Sequence, residues 1–257
     1  MFDWYWAMGL LYKNPSRIKL NSNFACICKM ISLNHATHTY TVNGTPFISV
    51  TTLISQWFAK FDADKTLAKM NKSNYPGMSN EEIKEQWLQK GKDASDKGTE
   101  LHESIEAYMN GTPKPLDTKE YQYFLDFMEI EKPVTFHAEW CVFHEPTKLI
   151  GTIDYVATSP EGLNLYDWKR SEDLSKHYGY CILPELQHLP DSKYWKYTIQ
   201  LNLYKFLLEE MGHKVNKMYI VCFHPTNLSY KKIEVSKLDV KTILNKYRGS
   251  TTCGTGL

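Results

Sequence analysis

The sequence predicts an α/β fold, a mixed sheet flanked by helices, on three observations. Helical periodicity dominates the stretch from about residue 79 to about residue 130. Three consecutive segments then switch to strand-like patterning and are joined by short turns. One more amphipathic helix and a further strand follow. Helices, a three-strand meander, a helix and a strand, in that order, make an α/β sandwich in which the last strand enters a mixed sheet.

Each element has its own signal. Asn43-Gly44, between His38–Val42 and Thr45–Phe47, marks a two-residue hairpin, and Ser49-Val50-Thr51 opens a short helix towards Trp57. Ser79-Asn80-Glu81-Glu82 is a capping box, starting helical sequence that runs, with an expected break near Gly91, to Asn110-Gly111. Thr118 to Ile130 is a second amphipathic helix, ending before Pro133. Thr135–His144, Leu149–Thr158 and Leu163–Lys169 read as the three strands, with turns at Glu145–Lys148 and Ser159–Gly162. A long polar and aromatic loop to about Ser192 precedes a helix over Lys193–Met211. Strands at Val215–Phe223 and Ser229–Val235, a helix over Lys237–Tyr247 and a disordered tail, 250–257, complete the chain.

A single domain, 30–249, is expected, with a hairpin and helices over 30–79 and a catalytic core over 80–249. The segment 1–29 lacks helical or strand period and reads as a dispensable extension. Asp3 is its one acidic residue, which suits a mitochondrial presequence; its one arginine, Arg17, argues against that. The net charge of +1 means that any nucleic-acid surface must be local. No apolar run is long enough to span a bilayer. Six scattered cysteines without a CxxC pair suit reduced thiols of an intracellular, cytoplasmic protein.

Turn lengths locate a candidate centre. If Thr158 closes against Leu163, Asp154 falls opposite Asp167; if His144 closes against Leu149, Glu139 falls opposite Asp154. Lys169, two residues past Asp167, shares its face. Such a row of carboxylates, with side-chain roots ~5 Å apart, is repulsive unless a cation holds it. Oxygen donors without a cysteine or histidine pair point to Mg2+ or Mn2+ rather than zinc. The adjacent lysine suits phosphoryl chemistry. A β-bulge would break this count.

Four segments then carry a resemblance: Gly98-Thr99-Glu100-Leu101-His102, Gly151-Thr152-Ile153-Asp154, Asp167-Trp168-Lys169-Arg170-Ser171 and Gln200-x-x-x-Tyr204. In this order they resemble the RecB-like branch of the PD-(D/E)XK nucleases. The hairpin and Ser49-Val50-Thr51 look like the entry of phage, viral and mitochondrial genome-maintenance exonucleases. The resemblance implies an αβββαβ restriction-endonuclease-like core. It implies Asp154, Asp167, the Trp168 carbonyl and His102 around the metal, and Lys169 positioning the attacking water. Gln200 and Tyr204 would orient Lys169 and the scissile phosphate, and Glu139 would add an acidic group. Relatives with an iron–sulfur cluster carry three closely spaced cysteines near the C-terminus; only Cys222 and Cys253 lie there, so no cluster is expected. No GxxxxGK[ST] motif occurs, so a motor would be a separate helicase or recombination protein.

Basic and aromatic residues after the third strand, with Ser171 among them, suggest contacts to single-stranded DNA: Arg170, Tyr178, Lys193, Trp195 and Lys196. Trp57, Phe58, Lys60 and Phe61 form a weaker group that reads equally as core. Each signal has a plainer alternative. His102 could bond Glu106 one turn on, Gln200 and Tyr204 could be polar members of a core-facing helix, and the tyrosines could pack an ordinary loop. The function expected is exonucleolytic hydrolysis of DNA in recombination, repair or replication, without a membrane. A structure-selective endonuclease of the same fold and an inactive nucleic-acid-binding module are the alternatives.

Overall fold

Asn43 and Gly44, at φ 50° and 76°, supply the two positive-φ positions that a tight hairpin needs. They join β2 (Thr39–Val42) to β3 (Thr45–Ser49), with Val42 opposite Thr45. A strand the sequence did not announce, β1 (Ile31–Asn34), pairs antiparallel with β2. The computed structural model describes residues 31–34, 39–132 and 136–252, and the chain divides into two compact units, 1–48 and 49–257. The expectations for 1–29 and for Cys26, Cys28 and Cys253 lie outside the described residues.

In the second unit Ser49 caps α1 (Val50–Gln56) through the Thr52 amide. Trp57 and Phe58 are core residues at 1% and 3% exposure, whereas Phe61 is exposed. A further short helix, α2 (Ala63–Lys69), capped by Asp62, is an addition to the sequence reading. The capping box at Ser79 opens α3 (Asn80–Met109), a continuous 30-residue helix. The break expected at Gly91 does not occur. One glycine costs about 1 kcal/mol in a helix, and strong helix formers such as Gln89, Lys90 and Lys92 flank it. Residues 88–97 of α3 are exposed all along. Leu101, Ile105 and Met109, one turn apart, are buried. Thr118 caps α4 (Lys119–Glu131), which ends on Lys132 in the left-handed conformation.

The sheet of this unit is built from β4 (Phe136–His144), β5 (Leu149–Ser159), β6 (Gly162–Lys169), and, after the strand pair β7 (His177–Tyr180) and β8 (Pro190–Ser192) and the helix α5 (Lys193–Glu210), β9 (Val215–Cys222) and β10 (Lys231–Glu234). Strands β4, β5 and β6 form the antiparallel meander, β9 lies parallel to β6, and β10 is antiparallel to β9. The segment before Ser192 is therefore not one long loop: it contains β7, β8 and a 3-10 turn at Pro184–Leu186. The last helix, α6 (Val240–Thr252), starts later than expected and continues through Thr252, so the tail expected as disordered from 250 is helical there; 253–257 lie outside the described residues.

Helices cover both faces of the sheet. On one, Leu101 and Ile105 of α3 and Phe124 and Phe127 of α4 meet Tyr155, Trp168 and Phe223. On the other, α5 packs on β4, β6 and β9. Asp167, next to Trp168 on β6, lies on the α5 side, where Gln200 reaches it. Among the described residues no helix is long and apolar enough to cross a membrane.

Candidate metal centre

The register that the turns set is the one observed: Thr158 faces Leu163, and His144 faces Leu149. Both counts run undisturbed to the centre of the sheet, where the geometry changes. The β5–β6 ladder runs from the turn as far as Tyr155 opposite Tyr166. Just beyond, the Asp154 side chain occupies the place of a backbone acceptor, Oδ2 taking the Trp168 N–H at 2.8 Å. Glu139 lies between Ala138, opposite Tyr155, and Trp140, opposite Ile153, but with φ 48°. A left-handed glutamate inside a strand is strained by about 1–2 kcal/mol. Its register is the expected one; its conformation is not that of a regular strand residue.

His102 sits beside Leu101 at the edge of the buried stripe of α3. Its Nε2 is 3.1 Å from the Trp168 carbonyl oxygen and its Nδ1 4.0 Å from Asp154 Oδ1. It thus reaches β5 and β6 rather than Glu106 on its own helix. One ligand atom each from His102, Glu139 and Asp154 lie within 4.8 Å of one another. An imidazole and two carboxylates, beside a backbone carbonyl, make a donor set that suits a divalent cation.

Asp167, expected in the metal set, stands beside that group with other partners. It is 1% exposed; Oδ1 accepts from Gln200 Nε2 at 3.1 Å, and Gln200 Nε2 also lies 3.2 Å from the Tyr204 hydroxyl. Lys169 Nζ is 2.7 Å from Asp167 Oδ2, a close charge pair. Tyr197, which the sequence reading missed, places its ring 4.7 Å from the Lys169 ammonium. Its spacing, three residues before Gln200, was the available clue.

Gly151 fixes the approach of α5 to this sheet. A Cβ there would lie 2.6 Å from Tyr204 Cε1 and 3.3 Å from Val50 Cγ2. The glycine thus lets the Tyr204 ring rest on the β5 backbone, which puts Gln200, one turn earlier, against Asp167.

Charge is concentrated here against the preference of a buried site. Burial, then Asp154 and Glu106, push the Glu139 carboxyl up to about 8. Burial also raises Asp167, and Asp154 adds to this while Lys169 opposes it. Burial pulls Lys169 down, but Asp167 and Asp154 outweigh that and hold it above its ordinary range, as an ammonium. A divalent cation would relieve the crowding of carboxylates.

The expected DNA contacts do not form one surface. Arg170 donates through Nε to Glu120 Oε1 at 2.8 Å, and Lys196 pairs with Asp191 at 2.5 Å while lying 4.8 Å from the Phe58 ring. Ser171 is buried and accepts from Lys193 Nζ at 3.2 Å. Tyr178 is 88% exposed on β7. Trp195, with His177 and Cys222, lines a cleft of about 450 Å³. Cys222 is the register neighbour of Lys169, so this cleft opens at the carboxyl end of the parallel pair β6–β9. That edge is where open α/β sheets commonly take ligands.

No family model and no curated protein matches the chain. A solved structure described as "Crystal structure of SSO0001" is 15% identical, covering 81% of this chain and 76% of that one, with a TM-score of 0.35. A superposition that loose fixes neither fold nor function.

Proposed function

We propose that the chain is a metal-dependent deoxyribonuclease with a PD-(D/E)XK-like core of the RecB-like branch, acting on single-stranded DNA ends in recombination, repair or replication. The observation that carries this reading is one arrangement: the His102–Glu139–Asp154 group beside the Asp167–Lys169 pair. A cation held by His102, Glu139 and Asp154, with Asp167 and the Trp168 carbonyl at its border, would neutralise charge on a phosphodiester and activate water. Lys169, fixed between Asp167 and the Tyr197 ring, holds a positive charge where a phosphoryl transition state gains negative charge. Gln200 and Tyr204 hold Asp167 in place from α5.

Single-strand preference is read from the cleft at the end of β6, whose lining includes Trp195 and His177, aromatic side chains of the kind on which unpaired bases stack. The test is incubation with magnesium and end-labelled DNA as linear single strand, duplex and covalently closed single-stranded circle. Loss of the linear single strand alone is the expected result. Equal loss of the circle would make the protein an endonuclease. Binding without cleavage of any substrate would make it an inactive nucleic-acid-binding module.

A further inference from the structure

Arg170 directly follows Lys169, and its side chain is 14% exposed. Its hydrogen bond runs from Nε to Glu120 Oε1 at 2.8 Å, in the first turn of α4, where Glu120 is itself buried. Among the described residues the two terminal guanidinium nitrogens have no hydrogen-bond acceptor. Because Nε is committed to Glu120, the planar group presents its far edge, with paired N–H donors, away from that carboxylate. Arg170 lines a cleft of about 340 Å³ together with Lys97, Glu100, Thr118, Glu120 and Pro225.

Two further features of this cleft favour an anion. It lies at the N-terminus of α4, a 13-residue helix whose Lys119 and Glu120 amides have no intrahelical acceptor. Thr118 spends its side chain on the Tyr121 amide and leaves those two amides open. Lys97, exposed on α3, stands at the rim with no ion pair among the described residues. Glu100 lines the same cleft and opposes this charge from the solvent side. A buried Arg–Glu pair is a weak source of stability. Holding a guanidinium in one orientation is what the pair does well.

We propose that this cleft seats a second phosphodiester of the bound strand. Arg170 is the bidentate contact, Lys97 the outer charge and Glu120 the positioning residue that aims Arg170. The inference rests on the nuclease reading and assigns it a second phosphate contact on the side of the sheet facing α3 and α4.

The experiment measures binding of a labelled single-stranded oligonucleotide across a salt series without divalent cations, so that no cleavage intervenes. Four proteins are compared with the unaltered chain: Lys97→Gln, Glu120→Gln, Arg170→Gln and the double variant Glu120→Gln/Arg170→Gln. The double variant removes both charges together and leaves no buried ion unpaired, and thermal melting checks its fold. Loss of one phosphate contact should lower the slope of log K against log salt by about 0.7 for a single strand. That drop is expected in Lys97→Gln and in the double variant. Glu120→Gln should weaken binding when Arg170 is present and change nothing when Arg170 is already glutamine, a coupling that loss of stability alone would not produce. If the unaltered chain binds and cleaves DNA but the slopes of Lys97→Gln and the double variant do not change, the seat is refuted and the nuclease reading stands. If the unaltered chain neither binds nor cleaves DNA, both are refuted.

Discussion

Gly151→Ala adds one methyl group where the structure has no room for it. The new Cβ would stand 2.6 Å from Tyr204 Cε1 and 3.3 Å from Val50 Cγ2. The ring cannot swing clear, because Tyr204 is 3% exposed and lies on a helix whose Leu201, Leu203 and Leu207 are fully buried. Relief must come from displacing α5 or the β5 backbone, and overpacking of this kind costs about 1–3 kcal/mol. For a domain of about 200 residues each kcal/mol lowers Tm by roughly 2–4 °C, so a drop of about 2–12 °C is expected. Cleavage should fall more than stability suggests. The displaced element carries Gln200, whose amide reaches Asp167 at 3.1 Å, and small misplacements around a reacting group can cost on the order of 10²-fold in rate. Scanning calorimetry and single-turnover cleavage measure the two effects. Tyr204→Leu supplies the control: with the ring gone, adding Gly151→Ala should cost little further stability. A Gly151→Ala protein that melts and cleaves like the unaltered chain would refute the close approach of α5 and the role given to it.

The remaining predictions concern the centre itself. Asp167→Asn and Lys169→Ala should each lower cleavage by about 10² or more while DNA binding persists, as measured by single-turnover assay and by gel shift. Magnesium or manganese should support cleavage and calcium should not, with EDTA abolishing it; full activity in EDTA would remove the metal from the reaction. Metal affinity should rise with pH, because Glu139 is held protonated up to about 8 and only its anion is a ligand. The rise should be at most tenfold per pH unit below that value and level off above it, and Glu139→Gln should flatten it in a calorimetric titration. Without metal the sign for stability is the reverse. The carboxyl is raised above its ordinary value near 4.5, so its contribution is fully present at acid pH and is lost as pH rises through about 8, which pH-dependent melting would detect.

What could be read in the sequence was local or counted. Asn43-Gly44 announced its hairpin by chemistry, and Ser79 and Thr118 announced α3 and α4 by their caps. Turn length and two-residue alternation placed Glu139, Asp154 and Asp167 on adjacent strands, because a register set at a turn persists until something interrupts it. The interruptions escaped. Nothing in the neighbours of Glu139 signals a φ of 48°, and nothing around Asp154 signals that its carboxylate would take a backbone amide of β6. Long-range polar pairs were equally hidden. Glu120 and Arg170 lie 50 residues apart, and Asn202, fully buried, bridges α5 to the chain before α6 through the Ser236 carbonyl and the Leu238 amide. Arg170 and Lys196 looked like free cations because their partners are not periodic neighbours. The strands β7 and β8 escaped because four and three residues are too short to show a period.

The backbone at Glu139 has a consequence for anyone breeding this protein for heat tolerance. A screen that scores only survival at high temperature rewards release of local strain, and a glycine at this position gains about 1 kcal/mol simply by accepting a positive φ. The same change removes a crowded carboxylate, a second gain. Position 139 is therefore an early winner in such a screen and, on the function proposed above, an early loss for chemistry, because the hardier descendants would carry a cluster one carboxylate short. A selection that alternates heating with a requirement for metal uptake would keep the glutamate and move improvement to places such as the exposed stretch of α3.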